Sequence, residues 1–77
     1  MEKNTYKFEF TNILDGSNST STIQAENVAD AVKLFVKEFD KDFNMANIEF
    51  DYVYENGEDL GTDGLLEAET ALSEYYT

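Results

Sequence analysis

An α+β fold with an antiparallel sheet of three or four strands, in the order ββαβ(β)α, follows from three observations. Aromatic residues alternate with polar ones at residues 6–10 and again at residues 48–55, the period of a half-buried strand. Between them Val28, Ala31, Val32, Phe35 and Phe39 recur at helical spacing. Two turn signals, Asp15-Gly16-Ser17-Asn18 and Asn56-Gly57, join neighbouring strands too tightly for a parallel crossover.

The first strand holds Tyr6, Phe8 and Phe10 on one face and Lys7, Glu9 and Thr11 on the other, and Ile13 and Leu14 are expected to continue it. After the turn, the serine- and threonine-rich residues 19–25 form its antiparallel partner, with Ile23 and Ala25 facing the core. Asn27 is positioned to cap the first helix, with Asp30 at the end of its first turn. The outer face of that helix mixes Lys33, Lys37 and Lys41 with Asp30, Glu38 and Asp40. In the third strand Ile48, Phe50, Tyr52 and Tyr54 are expected to point inward, which turns Glu49, Asp51, Val53 and Glu55 outward. A short fourth strand at residues 58–62 is interrupted by Gly61. Thr62 or Asp63 then caps a last helix that buries Leu65, Ala68, Leu72 and Tyr75 and presents Glu67 and Glu74, with Glu69 nearer its flank.

The 77 residues suffice for a single domain, spanning 1–77, with a modest core. The chain has no cysteine, so no disulfide staples it, and no histidine or cysteine to hold zinc. Its five tyrosines and six phenylalanines supply large buried areas instead. It lacks both a membrane-length apolar run and a signal-peptide pattern at its start, and a cytoplasmic location, in a bacterial host cell, is expected.

Charge is the strongest feature. Seventeen acids face five lysines, for a net of -12. Residues 1–41 carry seven acids and all five lysines, whereas residues 42–77 carry ten acids and no base. Direct binding to nucleic-acid phosphates needs clustered Lys or Arg, and an anionic membrane repels the same surface. A basic protein partner is favoured through long-range steering. A homodimer is also open, because a core this small gains from a second copy.

No enzyme and no cofactor are expected. Without histidine or cysteine, a serine or threonine nucleophile would depend on a carboxylate, of which no single pair stands out and for which a domain this small has little room for an apolar cleft, or on Lys33, Lys37 or Lys41, which lie on a solvent-facing helix surface where a lowered pKa is not expected. Residues 59–66 partly match an EF-hand loop through Asp59, Asp63 and Gly64, with Leu66 at its apolar eighth position. However, Gly61 stands where an oxygen ligand is required and Thr70 where a bidentate glutamate is required, so no metal is expected. The outward carboxylates of the third strand are a sharper lead. Strand residues two apart are separated by about 6.6 Å, close to the ~6–7 Å between adjacent phosphates of one DNA strand. The expected partner-binding surface is therefore Glu49, Asp51 and Glu55, extended by Glu58, Asp59 and Asp63, by Glu67 and Glu74 on the helix, and by Tyr76 as an aromatic anchor.

Taken together, the strand Tyr6-Lys7-Phe8-Glu9-Phe10, the strand-to-helix passage Ile23-Gln24-Ala25-Glu26-Asn27-Val28-Ala29-Asp30-Ala31 and the acidic strand Ile48–Glu55 resemble the small acidic proteins that phages and mobile elements make against host defences, anti-CRISPR proteins and DNA mimics among them. The resemblance is one of architecture and composition and carries over no functional residue. It implies an inhibitor that binds a CRISPR effector or related nuclease and blocks DNA access or cleavage. An immunity or antitoxin-type inhibitor of a nuclease rests on the same physics, and a phage assembly module is a third possibility.

Overall fold

The computed structural model describes residues 3–39 and 47–75. Its elements are β1 (Asn4–Asn12), β2 (Asn18–Ala25), α1 (Val28–Phe39), β3 (Ile48–Glu55), β4 (Glu58–Asp59) and α2 (Gly61–Tyr75), an α+β arrangement in the expected order. The sheet order is β2-β1-β3-β4, with every neighbouring pair antiparallel. The Phe39 side chain, Asp40, Lys41, Asp42 and Tyr76 lie outside the described residues.

Both hairpins close as their turn residues require. Asn56 and Gly57 take φ of 51° and 86°, the paired positive values of a type I′ turn, whose twist matches that of the strands. Asn56 also ties the turn to β1: its backbone N–H donates to the Thr5 carbonyl (2.8 Å), and its Oδ1 accepts from the Thr5 N–H (2.9 Å). In the first hairpin β1 stops at Asn12, short of Ile13 and Leu14, which lie exposed in the loop. The Asn12 side chain causes this stop by accepting the Leu14 N–H (2.9 Å), and Asp15 likewise accepts the Ser17 N–H (2.9 Å). That bond to Ser17, mainly, holds the Asp15 carboxyl below the usual carboxylate range.

Each helix starts on a side-chain cap. Asn27 Oδ1 accepts the Asp30 N–H (2.8 Å), and the Asn27 amide donates back to the Asp30 carboxylate (3.3 Å), a reciprocal cap. α2 begins earlier than the sequence suggested. Asp59 Oδ1 accepts the Gly61 N–H (2.8 Å), so the chain turns into the helix at Gly61, and Thr62 and Asp63 lie inside its first turn. β4 is correspondingly cut to two residues.

One core holds the layers together. Tyr6, Phe8 and Phe10 of β1, Ile23 and Ala25 of β2, and Ile48, Phe50 and Val53 of β3 bury against Val28, Ala31, Val32, Phe35 and Val36 of α1 and Ala68, Ala71 and Leu72 of α2. Both helices therefore cover the same face of the sheet. At the centre Phe8, Phe10, Phe35 and Phe50 meet with ring centroids 5.0–5.8 Å apart in tilted or edge-on geometry.

α2 reaches this core through small residues. Gly64 is buried, and a Cβ there would collide with Leu60 Cβ, which the chain cannot easily move. An exposed helical Gly→Ala change ordinarily stabilises by about 1 kcal/mol. Gly64→Ala is expected to do the opposite, by about 1–3 kcal/mol, because overpacking outweighs propensity. A urea melt of the variant checks the sign.

Candidate functional site on the open sheet face

The register of β1 with β3 contains one irregularity, and it decides which side chains face solvent. Glu9 pairs with Tyr52 and Phe10 with Phe50, leaving Asp51 as an extra residue in β3, a β-bulge. Below the bulge Ile48 and Phe50 point to the core. Beyond it the phase inverts: Val53 is 0 % exposed and Tyr52 is 50 % exposed. The expected inward set of Ile48, Phe50, Tyr52 and Tyr54 is thus corrected to Ile48, Phe50 and Val53. The physical reason is polarity: an inward tyrosine needs a partner for its hydroxyl, whereas valine needs none.

The bulge also breaks the expected row of carboxylates. Glu49 is exposed on the open face. Asp51 is half-buried and accepts a 2.6 Å hydrogen bond from the Thr11 hydroxyl, whose oxygen lies 2.7 Å from the Asn18 side-chain amide. Glu55 turns to the helix side, where its Oε1 accepts from the Tyr6 hydroxyl (3.2 Å).

The open face is a grid of cross-strand pairs. Lys7 stands opposite Tyr54, Glu9 opposite Tyr52, and Thr11 opposite Glu49, with Asp59 of β4 opposite Tyr54 on the far side. Tyr52 and Tyr54 stack with centroids 6.2 Å apart at 28°. The Lys7 ammonium lies 5.3 Å from the Tyr54 ring centroid, within cation–π range. Desolvation, reinforced by a hydrogen bond to the Glu9 carboxylate, pushes the Tyr54 phenol above its ordinary value. Glu9, Asn18, Thr20, Asp51 and Tyr52 rim a shallow depression of about 450 Å³ at the bulge. This side of the sheet thus gathers Glu9, Glu49, Asp51 and Asp59 around a stacked tyrosine pair, with Lys7 as the sole cation on those strands.

The other expected site residues fall elsewhere. Glu55, Asp63 and Glu67 line a second depression with Tyr6, Glu26 and the start of α1. Glu58 is exposed at the β3–β4 turn, and Glu74 is exposed near the end of α2, remote from that turn in sequence. Tyr75, expected in the core, is 45 % exposed. Glu9, already on the outer face of β1, was not placed in the site, and Tyr52 and Tyr54 were missed as surface groups. Their signal is Val53, the most readily buried residue type of the 51–55 segment, in the nominally outward phase.

Among the described residues no cluster of three or more acidic, histidine or cysteine side chains is arranged to hold a metal ion. The partial calcium-loop pattern is folded into a cap and a helix, with Asp59 engaged by the Gly61 N–H. No helix among them is long and apolar enough to cross a membrane. Comparison with protein-family models, with curated proteins and with solved structures finds no match to this chain.

Tyr6 carries a pH consequence. Burial, chiefly, raises its phenol above the ordinary value near 10, opposed by the Asn4 amide and reinforced by the charges of Glu55 and Glu67. A phenol whose folded pKa exceeds its unfolded one stabilises the fold below about pH 10 and loses that contribution as pH rises through the folded value, because the unfolded chain releases the proton first. Stability to urea is therefore expected to fall above about pH 10. Tyr6→Phe is expected to flatten that fall while costing about 1 kcal/mol at neutral pH for the lost hydrogen bond. An unchanged alkaline slope in the variant would assign the effect to other groups.

Proposed function

We propose that this chain is an acidic binding protein that occupies the basic, nucleic-acid-binding surface of a partner enzyme and so excludes nucleic acid from it. The reading rests on one observation: a sheet face that no described helix covers, on which four carboxylates surround a stacked tyrosine pair whose Tyr52 is half exposed. Ordinary soluble surfaces intersperse both signs of charge. Here residues 42–77 carry no base to offset ten acids.

The chemistry of each group suits a Lys/Arg-rich surface. Glu49 and Asp59 are exposed acceptors for guanidinium or ammonium donors. Tyr52 offers a half-exposed ring on which an arginine plane stacks, and tyrosine is a frequent anchor of interfaces. Tyr54 is already engaged by Lys7 and Glu9, so it buttresses Tyr52 rather than leading the contact. The net charge steers the encounter over the Debye length. A nuclease or CRISPR-type effector of host defence is the partner that best fits the composition, with the nuclease target of an immunity-type inhibitor the nearest alternative.

The test uses purified nucleases and CRISPR effectors with their DNA substrates. The chain is expected to inhibit cleavage by one of them in competition with DNA, with affinity falling about tenfold or more between about 0.1 M and about 0.5 M salt. Glu49→Lys with Tyr52→Ala is expected to weaken that binding about 30-fold or more. Glu38→Lys with Glu69→Lys makes a like-signed charge change on the helices and is expected to leave binding within about threefold. Equal losses in the two double variants would reduce the effect to net charge and remove the open face from the interface.

A further inference from the structure

β2 is the full-length outer strand of the sheet, and among the described residues no further strand pairs with its outer edge, which carries none of the usual protection. At the hairpin the Asn12 N–H donates to the Ser17 carbonyl (2.8 Å), while on the opposite side of β1 the Asn56 N–H donates to the Thr5 carbonyl (2.8 Å). Antiparallel alternation then assigns the even-numbered residues of β1 to β2 and the odd-numbered ones to β3. It follows that Ser19, Ser21, Ile23 and Ala25 bond inward to β1, and that Asn18, Thr20, Thr22 and Gln24 turn their N–H and C=O groups outward. Natural edge strands are blunted by charge, proline, bulges or shortness. β2 has eight residues in unbroken register with β1 and holds neither a charged side chain nor a proline. The opposite side of the sheet differs: β3 there carries Glu49, Asp51 and the bulge, and β4 covers Tyr54 and Glu55.

We propose that β2 pairs antiparallel with β2 of a second copy of this chain, about a two-fold axis near Thr22, to give one continuous eight-stranded sheet. Charge selects this occupant. A basic strand would be drawn to the acidic β3 side, whereas two copies of a chain of net charge -12 meet with least repulsion along their uncharged strip. The flank of the edge is self-complementary as well. Beside Thr22, Ile23 and Gln24, α1 presents Leu34, 44 % exposed, between Lys37 and Glu38. A two-fold axis returns the same patch to itself, so Leu34 packs near its mate and the Lys37 and Glu38 of one copy face those of the other. The pairing also places both open faces on one side of the joined sheet, with the two β3 strands five strand spacings, about 24 Å, apart.

Sedimentation equilibrium of the full chain tests this. A species of twice the 8.8 kDa chain mass is expected, and its formation strengthens as salt rises, because screening relieves the repulsion of like net charges. Thr22→Pro removes an edge N–H that β1 does not use, a substitution edge strands tolerate, and is expected to weaken dimerisation about tenfold or more. Leu34→Lys, on the helix and outside the strand, is expected to weaken it as well while leaving the circular dichroism unchanged. A chain that stays monomeric at all salt concentrations overturns the proposal, as does a dimer that both variants leave intact.

Discussion

The extra residue at position 51 is the constraint on which the surface of this protein depends. β3 must bury Phe50 against Phe8 and Phe35, and it must also bury Val53. Phe50 and Val53 are three residues apart, and a regular strand places such residues on opposite faces. A bulge inserts one residue and reconciles the two. Asp51 absorbs the irregularity because its carboxylate finds the Thr11 hydroxyl. Everything distinctive about the open face follows: Tyr52 and Tyr54 emerge beside Lys7 and Glu9, and Glu55 swings under the sheet to Tyr6.

The same constraint marks where sequence reasoning stops. The element order, the Asn27 cap, the Asn56-Gly57 turn and the inward set of β1 and β2 were legible, because each depends on neighbours within a few residues. The facing of Tyr52 and Tyr54 was not, since it is set by register against Glu9 and Phe10, some forty residues earlier. Tyrosine adds to the ambiguity, being apolar enough for the core and polar enough for the surface. The start of α2 was missed for a smaller reason. Asp59 is a strand residue, and its side chain also accepts the Gly61 N–H, so the helix starts directly after β4. The acidic residues were legible as a composition but not as a site: Glu49, Asp51 and Asp59 gather with Glu9 on one face, whereas Glu55, Asp63 and Glu67 gather at a separate depression.

The molecule is electrostatically polar across its sheet. Acids and aromatic rings collect on β3, and the neutral threonines and glutamine of β2 form the other margin. Two kinds of association with opposite salt dependence fit these margins: attraction to a basic surface weakens as ions screen it, and pairing of like-charged copies strengthens. A dimer through β2 would leave both β3 margins available, and two linked sites gain avidity for a surface long enough to span them.

The most direct measurement is a nuclear magnetic resonance titration of the chain with a short arginine-rich peptide at low salt. Perturbation centred on Lys7, Glu9, Glu49 and Tyr52, and reversed by added salt, is the result this account predicts. Perturbation confined to Glu67, Glu69 and Glu74 on α2, or spread evenly over every acidic residue, would contradict it, because the bulged face would then have no special affinity for a basic partner.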